Sequence, residues 1–272
     1  MNRMSRDFVY PLKSRKGSVD TMSGMDETTL GMDEVHVWYQ PSDAAAVALS
    51  EDAVLSAEER TGRDQRHSLV DRRDFALGHD LLRRSLSRYT AVLPHEWQFV
   101  KGLNGKLSVR GGGLSFNLSH TRGLVACSIA RFMAVGIDVE RVDRIIDIET
   151  IARHVFSASE AATLVSGRTN ARTRFIELWT LKEAFVKAVG LGLTLPLDSF
   201  SFDLDEDEKY VGFASPPGFD AREWQFVLYA PRSDARLAVA AHAPAKQPIR
   251  WQAHNVQPRG LTGLDCIRTS RR

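Results

Sequence analysis

Two carboxylates set two residues apart inside an apolar run constrain this chain more than any other feature. The run is Ala134-Val-Gly-Ile-Asp-Val-Glu-Arg141. Side chains at i and i+2 of an extended strand share a face. Ile137 and Val139 therefore turn to a core, while Asp138 and Glu140 project together from the other side. Like charges so placed repel each other unless a cation lies between them. A hard divalent ion such as Mg²⁺ takes oxygen ligands of this kind. A solvated strand face is the plain alternative, and the side chains brought near the pair decide between the two.

The flanking periodicities alternate between strand and helix. Val35, Val37 and Tyr39 alternate with other positions over 34–40 as in a half-buried strand. Ser56-Ala-Glu-Glu59 has the form of a capping box. One long helix is expected over 63–89, where Phe75, Leu82, Leu86 and Tyr89 recur at helical spacing and several arginines, Arg72 and Arg73 among them, ride on it. Asn104-Gly105-Lys106 and Gly111 to Gly113 mark turns in a hairpin-rich stretch. Leu114–His120 places Phe116 and Leu118 on one face, Asn117 and Ser119 on the other, and His120 at the strand end. Gly123–Ala130 is a near-continuous apolar strand. Ser157-Ala-Ser-Glu160 is a second capping box. A long helix over 172–189 carries Leu178, Leu181, Phe185, Ala188 and Val189 as its apolar stripe. Glu183 and Lys187 share the opposite face, the spacing of an ordinary surface ion pair. Gly190 and Gly192 stop this helix. Strands follow from Phe200 and at 224–229 and 237–241.

With 272 residues, 43 % hydrophobic and 26 % charged, the chain can bury a large core. A net charge of +2 argues against a strongly basic nucleic-acid binder. The sequence shows neither an apolar run long enough to span a membrane nor an apolar secretory leader. Cys127 and Cys266 lack zinc spacing, which fits a reducing cytoplasm. Residues 1–33 read as a flexible extension with Met22, Met25 and Met32 as alternative starts, and 244–272 as a disordered basic tail.

Gly136-Ile-Asp-Val-Glu140, followed about 40 residues later by Trp179-Thr-Leu-Lys-Glu-Ala-Phe-Val-Lys187, resembles the paired signature of the 4′-phosphopantetheinyl transferases. Leu114–His120 resembles that family's F-N-[IL]-S-H element, and Gly105-Lys106 its G-K-P turn, with Leu107 where the family has Pro. The order and spacing are similar to the surfactin-synthetase-activating (Sfp-like) class over roughly 34–243.

The resemblance implies an α/β (α+β) pseudo-dimer of two similar halves, each a long helix on a small, mostly antiparallel sheet. The expected halves are 34–130 and 131–243, with a cleft between them holding the site. It implies Mg²⁺-dependent transfer of the 4′-phosphopantetheine arm of coenzyme A to a serine of an apo acyl or peptidyl carrier protein, releasing adenosine 3′,5′-bisphosphate. Asp138, Glu140 and Glu183 would be the metal ligands, and Glu183 and Lys187 the catalytic pair. Arg73 (or Arg72), Lys106, Ser119, His120, Asp138, Lys187 and, less directly, Lys182 would contact coenzyme A. The class points to a cytoplasmic monomer acting on nonribosomal-peptide or polyketide carriers, with no nucleic-acid or membrane partner. Two alternatives stay open: another Mg²⁺-dependent phosphotransferase or phosphodiesterase, and a non-catalytic protein that binds coenzyme A or a carrier on the same fold.

Overall fold

A computed structural model of the protein describes residues 29–42, 53–144, 147–165, 170–204, 209–243, 247–257 and 260–270. The first half of the chain forms β1 (Glu34–Pro41), α1 (Ala57–Asp64), α2 (Leu69–Leu86), β2 (Phe99–Lys101), β3 (Leu107–Val109), β4 (Leu114–Thr121) and β5 (Leu124–Arg131). Then come β6 (Val135–Arg141), α3 (Ile148–Val155), α4 (Ala158–Val165), α5 (Ala171–Val189), β7 (Ser201–Leu204), β8 (Val211–Ala214), β9 (Trp224–Arg232) and β10 (Ala235–His242). The chain ends in β11 (Arg250–Gln257), β12 (Gly260–Gly263) and β13 (Cys266–Thr269).

Two sheets carry the architecture. One has the order β12-β11-β1-β5-β4 and the other β13-β9-β10-β6. Apart from the parallel pair β1–β11, the strands within each run antiparallel. The helix α2 lies on the first sheet: Leu77, Leu81, Leu82 and Leu86 bury against Trp38, Phe116, Val125, Cys127 and Ile129. The helix α5 lies on the second, with Leu178, Leu181, Phe185 and Ala188 buried against Phe226, Leu228, Ala238 and Ala240. A third apolar layer, including Val35, Val37, Ile137, Val139, Val227 and Val239, joins the outward faces of the two sheets. The molecule is thus an α/β pseudo-dimer, each half a long helix on a mostly antiparallel sheet.

The caps explain the helix limits. Ser56 accepts from the Glu59 amide while the Glu59 carboxylate accepts from the Ser56 amide, closing the first capping box. The single helix expected over 63–89 is two helices. Gln65 ends α1, and Ser68, accepting from the Asp71 amide, starts α2 afresh. Gly190 ends α5 at φ +79°, a conformation that glycine adopts without a Cβ penalty.

The two ends of the chain differ from expectation. Residues 1–28 lie outside the described part, but Leu30 is buried under α2 and its carbonyl accepts from Arg131 Nε. The tail expected to be disordered instead forms three strands: β11 pairs with β1 from Glu34–Arg250 to Tyr39–Asn255, β12 turns back on β11, and β13 joins β9. Its residues 244–246, 258–259 and 271–272 lie outside the described part. The physical reason is the open edge of β1, whose backbone groups need partners. A weakly apolar strand, with Ala253 buried in it and Ile249 buried just before it, is sufficient to fill it.

Candidate active site

The two sheets meet where β4 faces β6. Asn117 Oδ1 accepts from the Ile137 amide at 2.9 Å, and Ser119 Oγ accepts from the Val139 amide at 3.3 Å. Two same-face side chains of β4 thus satisfy the outer edge of β6, the edge away from β10. From the other side α5 presses directly on β6. A Cβ added to Gly136 would lie 2.1 Å from the Ala184 carbonyl oxygen and 2.3 Å from the Ala188 amide nitrogen, so only glycine fits. This contact sets the α5 side chains Glu183 and Lys187 beside Asp138 and Glu140.

As expected, Ile137 and Val139 enter the core, but Asp138 is only 4 % exposed. Its Oδ1 accepts from Lys187 Nζ at 2.5 Å and from Ser119 Oγ at 3.0 Å. Lys187 Nζ also lies 3.2 Å from Ser119 Oγ. Ser119 therefore donates to Asp138 and accepts from Val139 and Lys187, which uses its full capacity. Asp138 Oδ2 is buried with no hydrogen-bond partner among the described residues. Glu140 Oε1 accepts from Arg144 Nη1 at 2.8 Å.

The electrostatics tie the three carboxylates together. Glu140 is pushed up to about 7, first by burial and next by the Asp138 charge, with Glu183 adding to it and Arg144 and Lys187 opposing. Glu183 is likewise raised, by burial and then by Asp138, against Lys187. Among the described residues no three His, Cys, Asp or Glu side chains converge at metal-ligand spacing. Lys187 and Arg144 supply the positive charge at the cluster. An orphaned buried carboxylate oxygen beside two carboxyls that resist ionisation is a donor set that suits a hard dication.

The remaining residues expected in the site separate into two groups. His120 is exposed and lines a cavity of about 230 Å³ with Arg66, Phe75, His79 and Lys106. Arg73 Nε lies 3.5 Å from Asp74 Oδ1, and Asp74 is among the charges acting on His120. Arg72 donates instead to the Arg66 carbonyl. Lys182 is a correction: it is fully buried, pairs with Glu160 Oε2 at 2.9 Å, and donates to the Leu197 and Phe200 carbonyls. It points away from Asp138 because positions 182 and 187 lie on different sides of a helix that is buried nearly all round. Lys106 is also placed unexpectedly, its Nζ donating to the Val135, Lys187 and Ala188 carbonyls. The sequence reading missed Asn117 as a bond across the seam, although its alternation with Ser119 was the available signal. It also missed Arg66, whose guanidinium lies 4.7 Å over the Phe75 ring beside the cavity; nothing in its spacing marks it.

Residues 134–240, which hold β6, α5 and most of β10, match the family model of the 4′-phosphopantetheinyl transferase superfamily. The 4′-phosphopantetheinyl transferase HetI of Nostoc sp. is 30 % identical over 230 residues, covering 82 % of this chain and 94 % of HetI. A 4′-phosphopantetheinyl transferase of Bacillus subtilis is 31 % identical over 196 residues, covering 71 % of this chain and 84 % of its own. The transferase Sfp of Bacillus subtilis is 33 % identical over 155 residues, covering 56 % of this chain and 68 % of Sfp. Among solved structures, the holo-[acyl-carrier-protein] synthase of Thermotoga maritima aligns with 44 % of this chain and 66 % of its own at 24 % identity and a TM-score of 0.34, too slight a likeness to bear on the fold. The matched segment contains the carboxylate cluster, and the relatives extend over both halves: the chain belongs to the 4′-phosphopantetheinyl transferase superfamily and is an enzyme of that type.

Proposed function

We propose that the chain transfers the 4′-phosphopantetheine arm of coenzyme A to a serine hydroxyl of an apo acyl or peptidyl carrier protein, in a Mg²⁺-dependent reaction that releases adenosine 3′,5′-bisphosphate. The observation that carries this reading is Asp138 Oδ2, buried and unpartnered among the described residues beside Glu140 and Glu183. Asp138, Glu140 and Glu183 would hold Mg²⁺, which when bound neutralises charge on the pyrophosphate of coenzyme A.

The chain's own residues account for the rest. Glu183, a carboxylate made more basic by burial and by Asp138, takes the proton of the carrier serine. The serine oxygen then bonds to the phosphorus next to pantetheine as the bridging P–O bond breaks, and the bridging oxygen leaves on adenosine 3′,5′-bisphosphate. Lys187, already lodged against a carboxylate, stabilises the charge that develops on that leaving group. His120 and Arg66 offer donors to the nucleotide phosphates from the neighbouring cavity. The proposal also places the enzyme in the cytoplasm as a monomer acting on peptide- or polyketide-synthase carriers. The free thiols of Cys127 and Cys266 support the compartment, and a seam with both sides drawn from one chain supports the monomer.

Incubation with coenzyme A, Mg²⁺ and a panel of apo carriers, followed by intact mass measurement, tests the reaction. One phosphopantetheine added per carrier, with adenosine 3′,5′-bisphosphate in the supernatant, is the expected result. Free phosphopantetheine without modified carrier would point to a phosphodiesterase instead. Calorimetric titration with Mg²⁺ tests the ligand assignment separately: binding should disappear in Asp138→Ala, and undiminished binding would refute it.

A further inference from the structure

The turn between β2 and β3 belongs to the first half of the molecule, yet it closes the end of α5 in the second. Lys106 Nζ donates to the carbonyls of Val135 at 3.0 Å, Lys187 at 2.7 Å and Ala188 at 2.8 Å. An ammonium has three protons to donate, so this one is fully engaged. Asn104 Nδ2 adds a bond to the Gly190 carbonyl at 2.9 Å. The last carbonyls of a helix have no partners within it. Here they are satisfied from the other half, by a cation sited where the helix dipole favours positive charge. The fit is close, since a Cβ on Gly190 would lie 3.3 Å from Lys106 Cδ. Burial brings the Lys106 pKa down to about 8, a mark of how much water the ammonium has given up for these carbonyls.

The three carbonyls are not equivalent in consequence. Lys187 supplies one of them, and its own side chain reaches Asp138. Val135 supplies another and opens the strand on which Asp138 and Glu140 stand. A single ammonium therefore holds both backbones that aim the carboxylate–lysine cluster. Lys106 lines the cavity beside His120, but its charged end is turned into the carbonyls. To touch a phosphate it would have to abandon all three.

We infer that Lys106 is a positioning residue, which registers α5 against β6 and so places Lys187 and Asp138 for the reaction, rather than a ligand of coenzyme A. This rests on the transferase reading above. In Lys106→Met the stem is kept and the donors are lost. The turnover number at saturating coenzyme A should fall by about 10-fold or more, as misplacement of reacting groups does. The dissociation constant for coenzyme A by calorimetry, and its KM, should stay within about 3-fold, the split expected when no substrate contact is removed. Hydrogen exchange at the last turn of α5 should quicken, a readout independent of turnover. A 10-fold or greater weakening of coenzyme A binding with turnover unchanged would make Lys106 a substrate ligand and overturn the inference. Unchanged turnover and unchanged binding together would overturn it equally. Should Lys106→Met fail to fold, Asn104→Ala removes only the Gly190 bond: a smaller fall in turnover with binding intact supports the inference, and unaltered turnover refutes it. Wild-type protein that modifies no carrier refutes the transferase reading; active wild type with unaltered variants refutes only the positioning role.

Discussion

Asp138 shows how far a residue's meaning depends on its neighbours. Alternation along its strand predicts which way it points, and the motif around it predicts a ligand role. Neither predicts that it is buried with one oxygen saturated by Ser119 and Lys187 and the other without a partner among the described residues. In the proposed mechanism Glu183 is the base. Glu183→Gln keeps shape and would remove that base, so the turnover number should fall by about 10²–10⁴, measured by carrier mass gain over time. Titration of Glu140 gives a second test. Its folded pKa is raised to about 7, so in metal-free protein its favourable contribution is complete below the ordinary carboxylate range and is lost as pH rises through about 7. Metal-free wild type should therefore lose thermal stability between roughly pH 5 and 8. Glu140→Gln should flatten that slope, and an unchanged slope would assign the loss to another group.

At the level of elements, α5 is the part read most fully in advance, because a 3.6-residue stripe and a glycine stop are local signals. Its polar residues were not so legible. Glu183 and Lys187 share the face opposite the apolar stripe, whereas Lys182 falls beside Leu178 and Val189 at the edge of that stripe, and only packing shows what each of them meets. Lys182 meets Glu160, whose carboxylate also caps α4 through the Ser157 amide and accepts from the Phe202 amide. That capping box was visible as a pattern; its second use as a counter-ion was not, since the partner lies on another helix. Lys182→Met leaves the Glu160 charge buried without its cation and should cost about 3–5 kcal/mol in urea unfolding. Coenzyme A affinity of the folded variant should be unchanged. A loss of affinity at unchanged stability would restore Lys182 as a coenzyme A contact.

At the scale of the whole molecule, the halves are completed by the end of the chain. β11 and β12 extend the sheet of the first half, and β13 extends that of the second. Residues 247–270 therefore tie both sheets together, and Ile249 and Ala253 are buried in the layer between them. Deleting residues 247–272 should expose that layer and leave the edge of β1 away from β5 without its partner strand. A melting temperature lower by about 10 °C or more, read by circular dichroism, follows from losing several kcal/mol in a domain of this size. A truncated protein that melts with the full chain would show that the strands contribute no stability.

The sequence by itself determined the alternation of strands and helices, both capping boxes, the termini of α5 and the family to which the chain is similar. These depend on neighbours within a few residues, or on motif residues that recur in order. The tertiary structure alone decided that Lys182 pairs with Glu160, that Lys106 spans the halves, and that the polar tail forms three strands. In each case the partner lies far along the chain: Val135, Lys187 and Ala188 for Lys106, Glu160 for Lys182, β1 for β11. Whether a polar group faces water, a carbonyl or a counter-ion is settled by what the fold packs against it. No local period encodes that choice.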